Sequence, residues 1–173
     1  MILPPKPDQR LITIRRGGTL TDVDHHLLAL WAADCAEHVL PLFEAAAPGD
    51  DRPRAALAAV RAWTRGELPM MRSRAAGGHA MGAARPLRGA PRFAAYAAGQ
   101  AAVVTHVAAH DLGAAAYAIK AVKAAAAQGE ADAAGRAECA WQRTLLPLEI
   151  RALVLDDQRM RNPICWNVFV DSP

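Results

Sequence analysis

The run TDVDHHLLALWAADCAEHVLPLFEAAA, residues 21–47, reads as one long amphipathic helix and sets the fold class. Leu27, Leu28, Trp31, Cys35, His38, Val39 and Leu42 fall on one face when successive residues turn by about 100°. Thr21 or Asp22 can cap the start, because a short side-chain oxygen accepts a hydrogen bond from an orphan backbone N–H. Pro41 is expected to kink the helix, and Pro48-Gly49-Asp50 ends it. Pro53 then opens a second helix over about 54–65, where its missing N–H costs nothing. Leu57, Val60 and Trp63 face inward there. A long helical signal covers 92–127 and stops at Gln128-Gly129. Another helix covers about 130–145, and Pro147 opens a last one reaching about Asp157. Between 66 and 91, Gly77-Gly78, Gly82, Pro86, Gly89 and Pro91 divide any helix into short pieces. LITIRR at 11–16, and the alternation of Ile164, Trp166, Val168 and Val170, each read as a short strand. The expected architecture is all-α: a single multi-helical bundle of about six helices, with one short strand near each terminus. Residues 1–9, rich in proline, form a loose N-terminal arm, and 10–173 form a single helical domain.

Composition supports this and narrows the function. A chain of 173 residues suffices for one domain with a real core. The 41 alanines favour helix and close helix approach. Residues 51–92 hold nine arginines against Asp51 and Glu67, a local balance of +7 in a chain of net charge +3. Such a segment attracts nucleic acid or an acidic partner. No set of aromatic residues interleaves the arginines for base stacking, so nucleic acid is the weaker alternative. Arg52, Arg54, Arg61, Arg65, Arg72 and Arg74 are therefore the candidate anchors for a protein partner. Cys35, Cys139 and Cys165 are odd in number, form no CxxC, and follow an N-terminus without an apolar leader. The expectation is reduced thiols in a cytoplasmic protein. The most apolar stretch, 93–109, contains Gln100 and His106 and runs into Asp111, so no membrane span is expected.

Tyr96, Gly99, Val103, His106, His110, Gly113 and Tyr117 recur at alternating spacings of three and four. On a continuous helix they form one seam facing a packing partner. Asp34 and His38 on the first helix supply matching polar groups. One reading is a buried hydrogen-bonded network. A second is a zinc or iron site made by His106, His110, His38 and Asp34. A third is general acid–base catalysis. Between His106 and His110 stand Val107, Ala108 and Ala109, so the HExxH general base is missing. No nucleophile or oxyanion donor accompanies the histidines. The structural reading leads; no catalytic residue and no cofactor is assigned, and an enzyme is the weaker class. There is no phosphate-binding GxxxxGK[ST] loop and no GxSxG elbow. His25-His26, beside Asp22 and Asp24, reads as a solvated first turn.

Four ordered blocks resemble the immunity protein five-like family. They are LLALWAADCAEHVLPLFE at 27–44, DRPRAALAAVRAWTRGE at 51–67, AAGQAAVVTHVAAHDLGAAAYAIKAV at 97–122 and ECAWQRTLLPLEIRALVLDDQRMRN at 138–162. The resemblance implies a bacterial protein that neutralises a cognate toxin of a polymorphic or contact-dependent system by binding it, without catalysis. It supplies no catalytic residues. Where the family tends to show a further alanine-rich helix, this chain has MRSRAAGGHAMGAARPLRGAP at 71–91. A homodimer stays open. The rival classes are a His-bearing metal-binding bundle resembling the DinB type, enzymatic or not, and a basic nucleic-acid-binding module.

Overall fold

A computed structural model describes residues 3–170; Met1 and Ile2 of the expected arm and 171–173 of the expected helical domain lie outside the described residues. Seven α-helices follow in order: α1 (Asp22–Ala46), α2 (Arg52–Thr64), α3 (Met70–Ala83), α4 (Gly89–Val104), α5 (Asp111–Ala125), α6 (Ala131–Thr144) and α7 (Leu148–Arg161). Helical structure takes 74% of the described residues, so the all-α expectation holds with one helix more than expected.

Local chemistry explains the ends of α1 and the start of α7. Thr21 Oγ1 accepts the Asp24 N–H at 3.0 Å, and Asp22 and Asp24 sit in the first turn, where the helix dipole favours carboxylates. Helix α1 runs through Pro41, which is exposed. Pro147 is the N-cap of α7, with an extended backbone that a helix interior would not allow.

The centre is built from α1, α4 and α5, which pack on one another; α2 and α3 cover one side, and α6 packs on α5. Helices α4 and α5 are alanine-rich and buried on nearly every face, as expected of core helices. Leu28, Trp31, Cys35, Val39, Leu40 and Phe43 fill the space from α1. A fully buried leucine or phenylalanine contributes about 1.5–3 kcal/mol relative to exposure. The Trp31 indole N–H donates to the Gln142 carbonyl at 2.9 Å, which ties α1 to α6.

Three expectations are corrected. First, α3 is intact. Its buried stripe is Ser73, Gly77, Ala80 and Ala83, and Gly77 faces Gly99 of α4. The glycines allow close helix approach there, and tertiary packing offsets their weak helix propensity.

Second, 92–127 is a helical hairpin, not one helix. Thr105 turns its hydroxyl back to the Ala102 carbonyl at 2.9 Å, and the chain passes through a 3-10 turn at Ala108–His110. The carbonyls freed by the break have partners. His25 Nε2 lies 2.7 Å from the Val104 oxygen, and Arg161 Nη1 donates to the Ala109 oxygen at 2.7 Å. The seam consequently folds on itself: the Tyr96 and Tyr117 rings stack at 5.1 Å.

Third, neither terminal segment is a strand. Residues 9–16 form two 3-10 turns, with a single parallel bridge between Thr13 and Leu20. Gly17, in left-handed backbone at φ 87°, closes the second of these turns. After α7 comes another 3-10 turn, Asn162–Cys165. Asn162 then satisfies both backbone groups of Phe169 with its side-chain amide, at 2.9 and 3.0 Å.

Candidate partner-binding surface

The four polar candidates of the seam and of α1 have separate partners. Asp34 is exposed and accepts from Arg61 at 2.9 Å, an arginine it shares with Glu37 at 2.7 Å. Burial pushes the Asp34 carboxyl up, against the pull of Arg61. His38 is also exposed. Its ring stacks on Trp141 with 3.8 Å between centroids, and Nδ1 lies 2.8 Å from Oε2 of buried Glu138. Glu138 Oε1 in turn accepts from Gln142 Nε2 at 2.8 Å.

His106 is half-buried, with Nδ1 3.3 Å from the Met70 sulfur. Burial lowers its pKa, helped by Arg74 and Arg16. His110 Nδ1 lies 2.7 Å from Gln100 Oε1. Burial, with Arg161 and His106 adding to it, lowers His110 to about 4. It is therefore neutral near pH 7 and donates its Nδ1 proton to the amide oxygen.

The expected meeting of His106 and His110 with Asp34 and His38 does not occur. Two helical faces predicted to touch were separated when the long helix broke at Thr105. Among the described residues, no three His, Cys, Asp or Glu side chains gather as metal ligands would. His25 is not solvated: it is buried, its pKa is lowered by that burial, and it closes the C-terminus of α4.

A buried ionic knot lies beyond the seam. Arg161 donates to Asp157 and, at 3.1 Å, to Asp111 Oδ1, and all three residues are buried. Burial raises the Asp111 carboxyl, Arg161 opposes the shift, and Asp157 adds to it. The knot joins the end of α7 to the start of α5, which makes it a structural element rather than a surface.

The six arginine candidates divide into two groups. Arg52 pairs with Asp50 at 2.5 Å, Arg54 with Glu44 at 2.7 Å, Arg61 with Asp34 and Glu37, and Arg65 with Glu67 at 2.6 Å. These four hold α2 and its flanks through intramolecular pairs. Arg72 and Arg74 are exposed on α3 and have no ion-pair partner among the described residues. No acidic residue occurs between Glu67 and Asp111, so neither arginine has a carboxylate close by along the chain. The outer side of α3 therefore presents Arg72, Arg74, His79 and, just past its end, Arg85, with the buried stripe turned away. A low-acid, arginine-rich helix side is a cationic platform for an anionic surface.

A family model described as "Imm-5 like putative immunity protein" matches residues 18–149, most of the chain. The chain belongs to this immunity protein family. The match begins just before α1 and takes in α1 to α6 complete, so the arginine side of α3 lies within the family's own fold. Comparison with curated proteins and with solved structures returned no match. Family membership points to a protein partner, and no helix among the described residues is long and apolar enough to cross a membrane.

The arginine candidates omit one aromatic surface. Trp166 is 43% exposed beside Tyr117 and Lys120. Its signal in the sequence was Asn162-Pro163 and Asn167, turn-forming residues inside a run that alternates like a strand.

Proposed function

We propose that this immunity-family protein neutralises a cognate bacterial toxin in the cytoplasm by direct, noncatalytic association, and that the outer side of α3 makes the contact. The observation that carries the reading is that Arg72 and Arg74, in the acid-free stretch between Glu67 and Asp111, are exposed and have no ion-pair partner among the described residues. A guanidinium already paired with a neighbouring carboxylate must give up that bond to bind elsewhere. One without a partner meets an acidic surface at lower cost, and arginine is enriched among the residues that dominate binding energy. Blocking a toxin requires only that a complementary surface cover its working face. No bound cofactor enters into that.

The test is coexpression with the toxin domain encoded beside the gene, read as restored growth, together with the affinity of the purified pair. Arg72→Glu combined with Arg74→Glu is expected to abolish protection and weaken binding by about 30-fold or more. Arg54→Ala, which removes a surface intramolecular pair, should leave both unchanged. Failure of the wild-type protein to restore growth would sink the toxin reading. Full protection by the double variant would move the contact off α3.

A further inference from the structure

A second surface lies between the C-terminal segment and the α5–α6 pair. Trp166 and Asn167 both adopt left-handed backbone, at φ 57° and 54°. Neither is glycine, and a bulky residue in that region is a true outlier that surrounding structure must hold in place. The Asn162 carbonyl does so, accepting the N–H groups of Trp166 and of Asn167, the latter at 2.8 Å. Val168 and Phe169 anchor the chain behind in the core.

The strained turn projects the indole onto α5. Lys120 Nζ lies 3.7 Å from the Trp166 ring centroid and 4.7 Å from that of Phe93. From this cation the surface continues as a groove in two connected parts, of about 400 and 620 Å³, which share Lys123 and Val168. Arg136 lines the larger part, is half-buried, and has no hydrogen-bond or ion-pair partner among the described residues. Among the described residues its walls carry Lys120, Lys123 and Arg136 against one carboxylate, Asp132, which is held by Lys123 at 2.8 Å.

We infer that this groove is a second docking site, which takes an acidic peptide segment of a protein partner. An apolar side chain of that segment rests on the Trp166 indole, and a carboxylate pairs with Arg136. Charge complementarity selects the occupant: the half-buried Arg136 lines the groove together with Lys123, and a bidentate carboxylate is the group that fits a guanidinium. A single-stranded nucleic acid fits less well. Phe93, Tyr96 and Tyr117 are stacked on one another, and Lys120 lies over Phe93, Tyr117 and Trp166, so successive bases would find no row of free rings.

The test is selection of short random peptides displayed on phage against the full chain, followed by affinity measurement on the enriched sequences. Sequences combining acidic and apolar residues are expected. Their binding should fall at least tenfold in Arg136→Glu and in Trp166→Ala, and should be unchanged in the Arg72→Glu, Arg74→Glu double variant. That last comparison separates this site from the α3 contact. Circular dichroism and a thermal melt of each variant confirm that it is folded. A Trp166→Phe variant, which keeps an aromatic ring, serves if Trp166→Ala is unfolded. No enrichment, enrichment of basic peptides, or affinity indifferent to Arg136→Glu would overturn the proposal. So would a single-stranded oligonucleotide that binds at Trp166 when no acidic peptide does.

Discussion

Gly77 and Gly99 face each other where α3 meets α4. A methyl group built on Gly77 would lie 2.8 Å from the Gly99 carbonyl oxygen, and one on Gly99 would lie 2.9 Å from that of Gly77. Both distances are too short for carbon against oxygen, and backbone cannot step aside as a flexible side chain can. Gly77→Ala is expected to destabilise the protein by about 1–3 kcal/mol through overpacking. Gly78, the next residue, faces open space, so Gly78→Ala should stabilise by about 0.5–1 kcal/mol through helix propensity. Urea denaturation of the two variants checks the opposite signs. Two losses of equal size would show that helix α3 does not approach α4 this closely.

Arg161 neutralises two buried carboxylates, so its removal should cost far more than that of any surface arginine. Arg161→Met leaves Asp111 and Asp157 buried and uncompensated, and is expected to lose about 3–5 kcal/mol. Adding Asp111→Asn and Asp157→Asn to that variant should recover part of the loss, because the stranded charges are then gone. Equilibrium unfolding of the single and triple variants measures this. A triple variant less stable than the single one would contradict it.

His110 gives the stability a pH dependence of known sign. Its folded pKa is about 4, against an ordinary value of 6.5. Between those values the unfolded chain takes up a proton that the folded chain refuses. Its contribution is therefore full above 6.5 and is lost as pH falls towards 4, by up to about 3 kcal/mol. His25, also lowered by burial, acts in the same sense. Asp111 is raised and acts oppositely: its folded form keeps a proton that the unfolded chain releases, so stability drops as pH rises above the ordinary carboxylate value of 3.8. The measurement is the difference between wild type and His110→Gln. The variant is expected to lose less stability between pH 6.5 and 4, and parallel curves would contradict the assignment.

Stoichiometric zinc is expected to leave the melting temperature unchanged. His38, His106, His110 and Asp34 each contact a different partner, and a metal would need three or four of them within bonding distance of one point. A chelator-reversible rise in melting temperature, lost in His106→Ala or His110→Ala, would restore the metal reading.

Much of the architecture was legible because it depends on local chemistry. The apolar face of 21–47, the cap at Thr21, the breaker at Pro48-Gly49 and the N-cap at Pro147 all act within a few residues, and α1, α2, α6 and α7 appear near the expected places. The charge asymmetry of 51–92 was equally open to inspection. Which arginines are unpaired was not, since Arg61 meets acids 24 and 27 residues away in the chain. The outcome at Gly77-Gly78 and at Thr105 was hidden for the same reason. Glycine weakens an isolated helix, yet α3 persists because α4 approaches at Gly99. An apolar run from 92 to 127 favours helix throughout, yet it breaks, and His25 and Arg161, from distant helices, satisfy carbonyls that the break exposes. Helix type, caps and charge balance thus follow from neighbours along the chain. The path of α4 and α5, the separation of the histidines and the exposure of Arg72, Arg74 and Trp166 follow from groups brought close in space, whose bonds and contacts no local pattern encodes.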